Sequence, residues 1–194
     1  MAGQENTRTV LDDVLPEWHR RERHRLAVDA PAPAVIQAAR DLTWGEVPTF
    51  RRIMAAVSLG RVKFPADAAV LDLFLGNGFE VLHHSDSELV IGGIERVSRG
   101  EAVVALGSDP VGAFRAFDRP RHILLGFDFR FADGVLTTET RVRATDARTR
   151  KLFGVYWFVI RAGSGFIRHI WLRGIRRRVA SGSPGRPAED PAEH

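Results

Sequence analysis

Apolar and polar positions along the chain change period several times, and each change marks an element. From residue 21 to residue 30, Glu22, His24, Leu26, Val28 and Ala30 alternate with Arg23, Arg25 and Asp29, the period of a half-buried strand. Pro31 and Pro33 interrupt it. Val35, Ile36, Ala38, Ala39 and Leu42 then follow helical spacing and predict a short helix over 34–41. A second helix is expected over 48–59, with Phe50, Ile53, Met54 and Val57 on one face and Gly60 as its stop; a third short one follows at 67–75. Strands are expected at 79–84 and 89–97 around the turn Ser85-Asp86-Ser87, with a further strand at 101–106. Asp109 and Pro110 start a short helix that reaches Phe114.

The stretch RHILLGFDFRFADGVLTTETRVRAT fixes more than its own conformation. Asp133-Gly134 signals a two-residue type I′ turn, which pairs Ala132 with Val135 and sets every later pair of the hairpin over 123–144. Phe131 then faces Leu136, Phe129 faces Thr138, Phe127 faces Thr140 and Leu125 faces Val142. The result is one apolar face with two hydroxyls. On the other face Asp128, Arg130, Glu139 and Arg141 form a ladder of alternating charge, expected to be solvated. A slip of one residue would mix the faces.

After Asp146, an N-cap candidate, apolar residues recur at helical intervals to the end of the basic run at Arg178. This predicts a long terminal helix. Leu152, Phe153, Tyr156, Trp157 and Ile160 would face the sheet from its first half, and Phe166, Ile167, Ile170, Trp171 and Ile175 from its second. Gly163-Ser164-Gly165 is expected to kink or break it.

Two segments, RHRLAVDAPAPAVIQAARD and LTTETRVRATDARTRKLFGVYWFVIRAGSGFIRH, together with the order strand, helices, antiparallel strands, hairpin and long helix, resemble the START-like superfamily, also called the polyketide cyclase or SRPBCC group. The resemblance spans most of residues 21–179. It implies an α+β helix-grip fold, a curved antiparallel sheet packed on a long C-terminal helix, with residues 48–75 as an extra helical insert after the first helix. It also implies a cavity between sheet and helix that holds an apolar molecule such as a lipid, sterol or polyketide.

Composition narrows the classes. Without cysteine the chain forms no disulfide and offers no thiolate, and its polar start lacks a leader's apolar core, so the expected compartment is the cytoplasm. The expected organisation is a flexible N-terminus over 1–11, one domain over 12–180 and a disordered acidic, Pro/Gly-rich tail over 181–194. The net charge is +4, and almost every base is arginine. Arg168, Arg173, Arg176, Arg177 and Arg178 beside Trp171 could meet an anionic membrane, with nucleic acid disfavoured; the plainer account is compensation of a helix C-terminus.

No nucleophile elbow, phosphate loop or metal spacing is present, so neither catalytic residues nor a cofactor or metal is assigned. His83 and His84, adjacent on a strand, point to opposite faces. His24 and His169 lack an acid or nucleophile at a diagnostic spacing. The candidate ligand-binding residues are Phe127, Phe129, Phe131, Thr138 and Thr140 on the sheet, Tyr156 above them on the helix, and Glu95, which Gly92 and Gly93 leave free to turn inward. The competing account of the phenylalanines is simple packing on the helix. Three functions follow: a carrier of an apolar molecule, a cyclase or hydratase using Glu95 as acid or base, or a peripheral protein held by the C-terminal arginines.

Overall fold

Residues 8–97 and 103–182 are described by the computed structural model, with the backbone alone along 155–164. The first strand, β1 (Arg20–Ala27), pairs with the last, β5 (Val135–Ala144), at one edge of a five-stranded sheet. The order runs on through β4 (His122–Ala132) and β3 (Glu88–Arg96) to β2 (Glu80–His84), all antiparallel. Asp133 and Gly134 both have left-handed φ, 51° and 73°, as a type I′ turn requires, and the hairpin register is the expected one. Between the pairs Phe127–Thr140 and Arg130–Thr137, side chains bridge the two strands. The Thr138 hydroxyl donates to the Asp128 carbonyl (2.7 Å), and the Glu139 N–H donates to the Asp128 carboxylate (2.6 Å).

On one side of the sheet lies α6 (Ala147–Ala180), capped by Asp146, whose carboxylate accepts the Thr149 N–H at 2.9 Å. The helix runs unbroken through Gly163–Ser164–Gly165, where an interruption was expected. Gly165 is there for closeness: a Cβ on it would lie 3.0 Å from Glu22 Oε1 on β1. Trp171, Leu172 and Ile175 are buried, but Leu152 and Phe166, expected to face the sheet, are exposed. Phe166 sits two residues, about 200°, from the inward position 168, so it points away. The helices α2 (Ala32–Asp41), α3 (Pro48–Val57) and α4 (Asp72–Leu75) belong to this side, where their segment supplies Trp44, Phe50 and Phe74. The expected strand at 101–106 reduces to a bridge between Val103 and Glu95; residues 98–102 lie outside the described part.

The opposite side of the sheet is also covered, which corrects two expectations. Val10 and Leu11, assigned to a flexible start, belong to α1 (Val10–Val14), which Thr9 and Asp12 close with a capping box. With α5 (Pro110–Ala116), α1 encloses a second core of Leu11, Val14, Leu15, Leu82, Val90, Ile94, Phe114 and Leu124. The charge ladder, expected in water, is therefore inside: Asp128, Arg141 and Glu139 are 2%, 4% and 5% exposed. Arg141 binds Glu139 at 2.6 Å and Asp12 at 2.5 Å, and donates to the carbonyls of Leu11 and Leu15. One guanidinium thus clasps α1 onto the sheet. Desolvation, with Glu139 and Glu88 nearby, pushes the Asp128 carboxyl up to about 7, although it accepts the Glu139 N–H.

Candidate functional site

Phe127 and Phe129 do face α6, and among the described residues they pack into its core. Both are fully buried in an aromatic cluster: Trp171 sits 5.0 Å from Phe129 and 6.2 Å from Phe127, and Phe74 sits 5.0 Å from Phe127 and stacks on Trp171. Phe50 and Trp44 extend the cluster outward. Such pairs add about 0.5–1.5 kcal/mol each beyond the area they bury. At this end the phenylalanines are core, as the packing account has it, and the helical insert contributes Phe74 to that core. Phe131 is likewise buried in this core. The Thr138 hydroxyl spends its proton on Asp128, which leaves it no proton for a ligand. Glu95 is half-buried and by alternation shares the face of Ile91, paired with Ile123 toward the start of α6. The side chain of Tyr156 lies outside the described residues.

Thr140 leads to the polar centre of this face. Its hydroxyl accepts a hydrogen bond from Arg168 Nη2 at 2.7 Å, and Arg168 is only 8% exposed. The guanidinium lies 4.8 Å from the Phe127 ring centroid and 5.3 Å from that of Trp171, contacts of about 2 kcal/mol when desolvated. Burial lowers its pKa to about 10, with Glu22 and Asp128 pulling the other way, so it remains cationic at neutral pH. Its Nη1 has no hydrogen-bond partner among the described residues. Neither has Trp171 Nε1, one turn further on, nor Glu22 Oε2 on β1. Unmet buried groups each cost about 1–3 kcal/mol.

Glu22 itself is positioned by the strand alternation, which turns residues 22, 24 and 26 toward the helix. Its Oε1 hydrogen-bonds His24 Nε2 at 2.7 Å, and the His24 ring meets His169 edge-on at 4.8 Å. His169 is anchored in turn by Nδ1 to the Gly165 carbonyl at 2.9 Å. The site is therefore Glu22, His24, Thr140, Arg168 and His169 around the glycine that lets β1 and α6 approach.

Of these only Thr140 was a candidate from the pattern. Glu22 and His24 were already legible as inward-facing from their alternation with Leu26. Arg168 was grouped with the basic helix end, yet it stands three residues before Trp171 and seven before Ile175, on the same inward stripe. The expectation that His24 lacks an acid is also corrected, since Glu22 lies on the same face two residues away. Among the described residues no group of three His, Asp or Glu could hold a metal ion, and no helix is long and apolar enough to cross a membrane.

No family model matches the chain, and comparison with curated proteins finds no match. Among solved structures, the chain is similar to TTHA0849 from Thermus thermophilus at 12% identity and a TM-score of 0.32, over 85% of this chain and 100% of that one. It is similar to Ara h 8.0201 at 11% identity and a TM-score of 0.22, over 84% and 98% respectively. Likenesses of this size carry no argument about function.

Proposed function

We propose that the protein binds an apolar small molecule between the sheet and α6, in a START-like helix-grip arrangement, and holds the ligand's polar end at Arg168. The observation that carries this reading is the buried, incompletely partnered guanidinium. A buried arginine normally has its donors met, but among the described residues Nη1 has no partner, nor has Oε2 of Glu22, whose charge acts on Arg168. The positive Arg168 and the negative Glu22 already offset each other. The matching head group is therefore uncharged, with an oxygen acceptor for Arg168 beside a hydroxyl donor for Glu22. Phe127 and Trp171, buried beneath the guanidinium, hold it in place from the core side.

Flavonol, which carries a hydroxyl beside a carbonyl on an apolar frame, is a fluorescent probe of this reading; flavone lacks the hydroxyl. The expected result is tighter binding of flavonol than of flavone, with Arg168→Met weakening flavonol roughly ten- to hundredfold through loss of a charged hydrogen bond. Equal binding of both probes to both proteins would remove the assignment.

The Glu22–His24 pair supports a second reading. A carboxylate that orients an imidazole is the arrangement of a general base, so a bound molecule could undergo proton transfer of the cyclase or hydratase kind. Mass spectrometry of ligands co-purified with the wild-type protein and with His24→Gln separates the two readings. Different chemical species support catalysis, and the same species in both excludes it.

A further inference from the structure

The end of α3 presents apolar side chains that the fold does not use. Val57 and Leu59 are 72% and 76% exposed, and Val62 is 42% exposed. The helix closes with two hydrogen bonds, Gly60 N–H to the Ala55 carbonyl and Leu59 N–H to the Ala56 carbonyl, the pattern that places one residue in the left-handed region. That residue is Leu59, with φ 52°. Glycine or asparagine is the usual occupant because other side chains crowd the backbone there. Here a leucine takes the strained position and gains no burial in return, so its use lies outside the folded monomer.

The surroundings of this tip say what it meets. From residue 48 to residue 65 the chain carries Arg51, Arg52, Arg61 and Lys63 and no acidic residue. Arg61 and Lys63 flank Val62 in the chain and are exposed, as is Arg52 earlier on α3. At the other end of α3 the basic end of α6 arrives: Arg177 donates to the Glu46 carbonyl, with Arg173 and Arg176 exposed beside it. A narrow apolar tip within a basic collar matches a surface that is negative outside and apolar a few ångströms further in, which is an anionic lipid leaflet. An apolar protein partner would have no need of the collar.

We propose that the α3 tip, through Val57, Leu59 and Val62 with Arg52, Arg61 and Lys63, docks the protein on anionic lipid surfaces. This extends the surface beyond the C-terminal arginines and does not depend on the Arg168 site, which none of these residues touches.

Co-sedimentation of the full chain with phosphatidylcholine vesicles and with equimolar phosphatidylcholine–phosphatidylglycerol vesicles tests it. Binding is expected to the mixed vesicles only, and to be lost in high salt. Leu59→Asn removes the apolar group while suiting the left-handed backbone, so the variant folds; its partition is expected to fall roughly tenfold or more. Replacing Arg61 and Lys63 together with Glu is expected to abolish the preference for mixed vesicles. The proposal is overturned by equal binding to both vesicle types, by binding to neither, or by Leu59→Asn behaving as wild type. A wild-type dimer in light scattering that Leu59→Asn dissociates would also overturn it, by assigning the tip to a second copy of the chain.

Discussion

The two faces of the sheet each bury an arginine, and the two are solved in opposite ways. On the α1 side Arg141 meets two carboxylates and two backbone carbonyls, and it raises the local order by tying a five-residue helix to β5. On the α6 side Arg168, among the described residues, meets one hydroxyl and two aromatic rings and keeps an unmet nitrogen. Burial is nearly the same, 4% against 8% exposed, so solvent access does not explain the contrast. Partnering does. A saturated buried charge acts as a clasp, whereas an unsaturated one keeps hydrogen-bonding capacity that another molecule can use.

The largest effect is expected from Arg141→Met. It leaves Glu139 and Asp128 buried with their compensation reduced, and should lower unfolding stability by about 3–5 kcal/mol in chemical denaturation. A loss below about 1 kcal/mol would show that α1 is not held by this residue.

Next comes Asp128. Its folded pKa of about 7 lies above the ordinary 3.8, first because of desolvation, so between those values the folded chain holds a proton that the unfolded chain has released. Stability from this group is full below about pH 4 and falls as pH rises toward 7, by about 4 kcal/mol in all for a shift of this size. Asp128→Asn, which keeps the acceptor for the Glu139 N–H, should flatten that slope in urea melts at pH 5 and pH 8 and be the more stable protein at pH 8. Asp12 works in the other direction: burial raises its carboxyl, but hydrogen bonds from Thr9 and Arg141 outweigh it and set it below the ordinary value. Its contribution is lost in acid.

Arg168→Met should cost less than Arg141→Met. Among the described residues no carboxylate hydrogen-bonds it, but Glu22 loses a nearby opposite charge and two rings lose a cation, so about 1–2 kcal/mol of stability should go, while flavonol binding falls. A loss as large as that of Arg141→Met would erase the distinction between the faces. The smallest effect is expected from Thr140→Val, which takes away the hydroxyl that accepts from Arg168. About 0.5–1 kcal/mol of stability should go, with a correspondingly small loss of probe affinity in titration.

The hairpin was legible because two independent signals agreed, the Asp133-Gly134 turn and the alternation of phenylalanines with charges. The second covered face was not. A strand with Asp128, Glu139 and Arg141 on one side has the same alternation whether those charges meet water or one another, and α1 is too short to show a period. The α6 face was legible as apolar, but not what packs on its phenylalanines, because Phe74 and Phe50 come from the insert and are distant in sequence. Arg168 was hidden by its neighbours, since a basic run suggests a solvated helix end until each position is placed around the helix.

The pairing of the first strand with the last has a consequence for how the site comes into being. Glu22 and His24 arrive near the start of synthesis, Thr140 and Arg168 near its end, and nothing brings them together until β1 closes against β5. Closure of so long a loop is a late event in folding, favoured only once the intervening strands have paired. A molecule held between Glu22 and Arg168 therefore recognises only the finished topology, and its binding should slow global unfolding instead of protecting one segment.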